Sequence, residues 1–164
     1  MRNNGFTLIE MIVYIGLFSM IIGGAIVSAY NIFESINRNQ TKAMMAEEGI
    51  FIIGKINWAL TGATAIDLLY SNKISITKSG ISPSDDPLIF DNSDGEMRLK
   101  RGVNSPQIIN NTNVKINNLV FVHTISSGNG ISLENISASF TIEAKTPEGL
   151  QFSEDFHTVK YIRK

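Results

Sequence analysis

The chain contains two histidines, the side chains best suited to general acid–base catalysis. His123 and His157 both lie in stretches whose apolar alternation is typical of strands. A histidine that acts as a general base needs an orienting third group and a pocket. Nothing in the spacing supplies either, so the sequence predicts structural or surface roles for both, no catalytic residue and no enzymatic activity.

Two acidic clusters, Asp85-Asp86 and residues 91–96, are candidates for binding calcium. A helix–loop–helix calcium site needs Gly at its sixth position and Glu at its twelfth. Counted from Asp91, Gly95 comes one residue early, so the segment predicts a turn, with calcium binding as the weaker alternative. The chain has no cysteine, which removes thiol catalysis and cysteine-ligated zinc. No metal site and no cofactor is predicted.

The remaining acid of interest is Glu10, at the start of a long apolar segment. Residues 11–30 carry no charge. As a helix rising 1.5 Å per residue, such a segment spans about 30 Å, the thickness of the hydrocarbon core of a bilayer. The sequence therefore predicts a membrane-spanning helix with a carboxylate near one end.

A carboxylate at the centre of a membrane helix costs on the order of 3 kcal/mol, and less near an end. Glu10 either extends its side chain to the interface or meets a positive charge in the membrane. Cleavage between Gly5 and Phe6 would place an ammonium on Phe6, roughly 6 Å from Glu10 along the helix axis. In a stack of such helices each Glu10 could pair with a neighbour's amine, which would fix the register of the stack.

At these residues the sequence resembles the superfamily of type IV pilins and type II secretion pseudopilins. Its members carry a short basic leader ending in Gly, then Phe-Thr-Leu-Ile-Glu and a hydrophobic helix. The residues that match are Gly5, Phe6, Thr7, Leu8, Ile9 and Glu10. The resemblance implies cleavage after Gly5 by a prepilin peptidase, N-methylation of Phe6, and pairing of Glu10 with the amine of an adjacent subunit.

The resemblance also implies a location and partners. The chain would cross the cytoplasmic (inner) membrane once, with its C-terminal head on the extracytoplasmic side, and would then enter an extracytoplasmic fibre. Its partners would be membrane lipid, the prepilin peptidase, the assembly platform of a secretion or pilus system, and other pilins or pseudopilins through the N-terminal helix.

The predicted fold is α+β, a long N-terminal helix packed on an antiparallel sheet. We divide the chain into a leader (residues 1–5), a transmembrane helix (6–30), a continuing amphipathic helix (31–62) and a β-rich head (63–164). Proline is missing before Pro83, and Trp58 is assigned to the core. The apolar residues predicted to face the sheet are Ala43, Ala46, Ile50, Ile53 and Leu60.

Alternating residues and turn signals predict the strands of the head. Asp94-Gly95 predicts a hairpin between two short apolar runs. The predicted strands cover residues 73–77, 88–90, 97–100, 113–125, 136–144 and about 152–161. The last three look most like those of J-type minor pseudopilins.

The function implied is that of a minor pilin or pseudopilin, a structural subunit of a type II secretion pseudopilus or type IV pilus. The presence of Glu10 argues against the tip position of the fibre. The alternative is a binding module, presented on a fibre by the same anchor, for DNA uptake or adhesion. A net charge of −1 and no basic stripe argue against DNA, so no nucleic acid partner is expected.

Overall fold

The computed structural model of the protein describes the backbone of residues 7–128 and 131–162. Side chains are described for the same residues except 126–128 and 131–133. The chain divides into two compact units, Met1–Gln40 and Thr41–Lys164. One helix, α1 (Leu8–Leu60), contributes to both. We call them the N-terminal unit and the C-terminal unit and describe each by itself.

The described part of the N-terminal unit is helix whose side chains face outward. From Thr7 to Gln40 all residues are exposed except Glu34 and Asn37, which are half-buried. The most apolar 18-residue window of α1 has a mean hydropathy of 2.2, and none of it is buried. Length and composition therefore allow this part of α1 to span a membrane.

The C-terminal unit contains the end of α1 and eight strands. The strands are β1 (Ala63–Tyr70), β2 (Lys73–Lys78), β3 (Leu88–Ser93), β4 (Glu96–Arg101), β5 (Gln107–Ile108), β6 (Val114–Gly128), β7 (Ile131–Lys145) and β8 (Gln151–Ile162). They form a five-stranded sheet in the order β1-β2-β3-β4-β5 and a three-stranded sheet in the order β6-β7-β8. All neighbouring strands are antiparallel. The predicted α+β fold, a long helix with antiparallel sheet, is confirmed.

Hydrogen bonds join the two sheets. The N–H of Phe121 donates to the carbonyl of Ser71 over 2.7 Å, and the N–H of Ile116 donates to the carbonyl of Gly95 over 2.9 Å. Asn110 accepts from the N–H of Met97 at 2.7 Å and donates to the carbonyl of Val114 at 3.0 Å. Side-chain amides suit this task because each offers both donors and an acceptor.

The last turns of α1 run alongside β8. The ammonium of Lys42 lies 5.5 Å from the ring centroid of Phe152. About two turns further along α1, Gly49 faces the ring of Phe156 so closely that a Cβ on Gly49 would overlap it. Glycine at this position therefore lets the helix approach the strand.

One hydrophobic core fills the space between helix and sheets. Side chains with almost no exposed surface include Ile52 and Ile56 of α1, Phe90 and Met97 of the five-stranded sheet, and Phe140 and Ile142 of the three-stranded sheet. Phe140 also stacks on Phe156, with ring centroids 5.5 Å apart. Burial of this kind contributes roughly 1.5–3 kcal/mol for each large side chain.

The helix face predicted to contact the sheet is right for Leu60, which is buried, and for Ile53, which packs against the core, but wrong for Ile50 and Ala43. Ile50 is 68% exposed, and Ala43 is exposed as well. The residues of α1 that are buried are Thr41, Met45, Gly49, Ile52, Ile56, Ala59 and Leu60. Two apolar stripes run along this part of α1, and the buried one includes Gly49, which lies against the ring of Phe156.

Trp58 is not a core residue, contrary to the prediction. Its side chain is 43% exposed, and the ammonium of Lys78 lies 4.2 Å from its ring centroid. The same ammonium donates a hydrogen bond to the carbonyl of Trp58 near the C-terminal end of α1. Burial lowers the pKa of Lys78 from its usual value. A lysine here satisfies a carbonyl that the helix leaves without an internal partner.

Candidate functional site

The predicted functional residues all belong to the start of the chain. Gly5 and Phe6, the proposed cleavage and methylation positions, lie outside the described residues. Glu10 is described and lies in the first turn of α1. The geometry of the site is therefore the geometry around Glu10.

Thr7 precedes α1 and caps it. Its hydroxyl oxygen accepts a hydrogen bond from the N–H of Glu10 over 3.4 Å, and its carbonyl accepts one from the N–H of Met11 over 3.2 Å. A threonine followed three residues later by glutamate has the spacing of a capping box. This spacing is visible in the sequence, where Thr7 otherwise belongs only to the Phe-Thr-Leu-Ile-Glu motif.

The position of Glu10 in the first helical turn also has an electrostatic consequence. The unpaired N–H groups at the start of a helix act as a partial positive charge, which stabilises a nearby carboxylate by about 0.3–1 kcal/mol when exposed. Glu10 is therefore less costly here than the same acid in the middle of the helix would be.

The surroundings of Glu10 are otherwise apolar and offer no cation. Leu8 and Ile9 are 80% and 70% exposed. Residues 7–37 contain no lysine, arginine or histidine, and Glu10 makes no ion pair within the described residues. The nearest cation that follows in α1 is Arg38, roughly 42 Å away along the helix axis, and it pairs with Glu34. Within the described residues of the N-terminal unit, Glu10 therefore has no positive partner.

Residues 91–96 run from β3 through a tight turn at Asp94-Gly95 into β4, so Asp91 and Glu96 lie on strands. Asp94 and Gly95 have φ angles of 59° and 81°. Positive φ at both central residues is typical of the tight turn that Asp-Gly favours. The predicted hairpin is confirmed, and in the described part of the chain no three His, Cys, Asp or Glu residues are grouped as metal ligands would be.

The two histidines have different surroundings. Nε2 of His123 on β6 lies 2.7 Å from Oε1 of Glu134 on β7, and both side chains are largely buried. His157 on β8 is exposed. The partner of His123 was missed because Glu134 is diagonal to it across the strand pair, which requires the register of β6 and β7. The pair links two strands and fits the predicted structural role.

The comparison with known families concerns the same end of the chain. Residues 1–26 match the model of the prokaryotic N-terminal methylation motif. The match supports a type IV pilin-like fibre subunit. Together with the apolar helix α1 it fits a single-pass anchor in the inner membrane. No curated protein and no solved structure matched the chain.

The motif is that of structural subunits rather than of enzymes, and it implies processing by a prepilin peptidase and assembly with other pilins. It covers 26 residues, so it describes the anchor.

Proposed function

We propose that this protein is a minor pilin or pseudopilin, most like a J-type minor pseudopilin of type II secretion. The observation that carries the proposal is Glu10 in the first turn of an apolar helix, within a matched methylation motif. The division proposed is a leader (residues 1–5), a transmembrane helix (6–30), a helical continuation (31–62) and a head (63–164). The head lies on the extracytoplasmic side.

The proposed mechanism is assembly rather than turnover. Prepilin peptidase cleaves after Gly5, and the new amine of Phe6 is methylated. The membrane holds the processed subunit until Glu10 pairs with the amine of a neighbouring subunit. The pair excludes water and sets the register of the two helices. Any other register would leave an unpaired ion in lipid, which is costly. The assembly platform of the secretion or pilus system then moves the subunit into the fibre.

Intact-mass measurement of the protein extracted from membranes tests the processing step. Cells with an active prepilin peptidase are expected to yield residues 6–164 with one added methyl group. Cells without the peptidase serve as the control and are expected to yield the uncut chain. A species that retains residues 1–5 in peptidase-positive cells would contradict the proposal.

A further inference from the structure

The C-terminal unit carries an aromatic groove on the exposed side of α1. Phe51 and Trp58 are two helical turns apart and are 45% and 43% exposed. Gly54 lies between them, and a Cβ at Gly54 would meet no other atom within 4 Å. The result is a groove of about 380 Å³, lined by Phe51, Gly54, Lys55, Trp58 and Arg101.

The two charged residues that line this aromatic groove, Lys55 and Arg101, are both positive. The ammonium of Lys55 lies 5.2 Å from the ring centroid of Phe51, and that of Lys78 lies 4.2 Å from the ring centroid of Trp58. Arg101 lines the groove from β4. No ion pair of these three cations occurs within the described residues.

The nearby carboxylates bond to other groups. Asp86 accepts a hydrogen bond from the backbone N–H of Lys78 over 3.1 Å, rather than from its ammonium. Asp85 accepts one from the side-chain amide of Asn104 over 3.3 Å. The groove itself has no carboxylate in its lining. It therefore combines apolar walls with two cationic side chains, Lys55 and Arg101, of which Arg101 also lines a neighbouring cavity together with Asp85.

We propose that the aromatic groove docks a protein segment that carries carboxylates beside an apolar side chain. The apolar side chain would enter between Phe51 and Trp58 above Gly54, where no Cβ obstructs it. The carboxylates would meet Lys55 and Arg101 at the rim. Aromatic residues and arginine are the side chains most enriched at the centres of protein interfaces. Charge complementarity at the rim then speeds association and selects the partner.

The location of the groove on α1 makes the inference independent of processing at Gly5 and Phe6. It concerns residues outside the 26 that match the methylation motif. Failure of one proposal therefore leaves the other in place.

Trp58 makes the groove directly observable because it is the only tryptophan of the chain. The full chain, held in nanodiscs of zwitterionic lipid, is titrated with a short synthetic peptide of alternating glutamate and leucine. Tryptophan fluorescence and calorimetry report binding. A lysine–leucine peptide of the same length and vesicles of anionic phosphatidylglycerol are titrated in parallel.

The expected result is saturable binding of the glutamate–leucine peptide that weakens as salt is added. The double variant Lys55→Gln/Arg101→Gln should bind at least about tenfold more weakly. Gly54→Leu should abolish binding because it fills the groove while leaving the rim charges. Lys115→Gln, which removes one positive charge from β6 instead, should bind as the parent does.

Three results would overturn the proposal. The first is no saturable binding of the glutamate–leucine peptide by either method. The second is equal binding of the lysine–leucine peptide, or equal loss of affinity in Lys115→Gln. The third is a response to the anionic vesicles alone, which would make the rim a lipid-binding surface instead.

Discussion

Residues 8–40 and residues 41–60 belong to one helix, yet they are built for different surroundings. The first stretch has no buried residue, and the second has seven. The first carries apolar residues on all sides, which suits lipid, whereas the second presents one stripe to a sheet. A helix can therefore have a continuous backbone while its side chains suit lipid in one stretch and the face of a sheet in the next.

The glycines of α1 show the same contrast at single positions. Gly16, Gly23 and Gly24 would meet nothing within 4 Å if they carried a Cβ, whereas Gly49 would collide with Phe156. In the N-terminal unit glycine leaves room at the helix surface. In the C-terminal unit one glycine determines how closely α1 approaches β8. The role of a helical glycine thus depends on the partner that it faces.

Removing the N-terminal stretch should have the largest effect, which is on the solubility of the protein. A chain of residues 41–164 lacks the apolar N-terminal stretch and keeps the whole core and both sheets. We expect a soluble monomer that unfolds in one cooperative transition, measured by circular dichroism and sedimentation. Aggregation at low concentration or a disordered spectrum would mean that residues before Thr41 belong to the folded core.

Changing Glu10 tests the N-terminal stretch. Glu10→Ala should insert into membranes as well as the parent or better, because an acid is removed from lipid. Cleavage after Gly5 should persist. Incorporation into fibres should fall, because loss of one partner of a buried ion pair costs about 3–5 kcal/mol, or two orders of magnitude or more in occupancy.

Glu10→Asp is the matched control, since it keeps the charge and shortens its reach, and it should be intermediate. Crosslinking of subunits in membranes and counting of subunits in sheared fibres measure both variants. If Glu10→Ala assembles as well as the parent, the carboxylate only extends to the interface and does not pair with a neighbouring subunit.

Substitution of Gly49 by alanine should have a smaller effect, on the free energy of unfolding, and the same substitution at Gly54 is the control. Gly49→Ala places a methyl group against Phe156, and overpacking of this kind costs about 1–3 kcal/mol. Gly54→Ala meets open space and should gain up to about 1 kcal/mol of helix propensity. Urea unfolding followed by far-ultraviolet circular dichroism measures both. Equal stabilisation of the two variants would show that α1 does not depend on the contact between Gly49 and Phe156.

The smallest effect on the free energy of unfolding is expected for substitution of Asn57. Its amide donates to the hydroxyl of Thr158 at 3.3 Å, and that hydroxyl is placed to donate back at 3.4 Å. Asn57→Ala should cost about 1 kcal/mol, because a partly buried hydroxyl loses its partner. A double-mutant cycle with Thr158→Val isolates the interaction, and additive losses would show that the two side chains do not couple.

The sequence predicted elements better than it predicted their partners. The α+β class, the hairpin at Asp94-Gly95 and the strand at residues 136–144 follow from local signals, and all three are present. β1 was missed because its residues Ile66, Leu68 and Leu69 do not alternate cleanly with polar ones, and most of its side chains are exposed. The division into two sheets depends on which strands pair, which no single segment encodes.

The site shows the same limit. Glu10 and its apolar surroundings are readable because lipid imposes a compositional signal over many residues. The phase of the buried stripe beyond Thr41 cannot be read from the sequence, because Ile50 and Ile52 are equally apolar and the strands that pack against α1 decide which of them is buried. The exposed position of Trp58 depends in the same way on Lys78, twenty residues later.

The hydrogen bond between Thr7 and Glu10 also bears on the cleavage that we propose after Gly5. Proteases bind their substrates as extended chain, so a scissile bond inside a helix has to be unwound before it is cut. The cap makes α1 begin at Leu8, three residues after Gly5. Replacing Thr7 by a residue that cannot cap would let the first turn fray, and replacing it by a stronger helix former would favour winding toward the scissile bond. For the proposed cleavage after Gly5, we therefore expect the efficiency to depend on the hydroxyl group of Thr7.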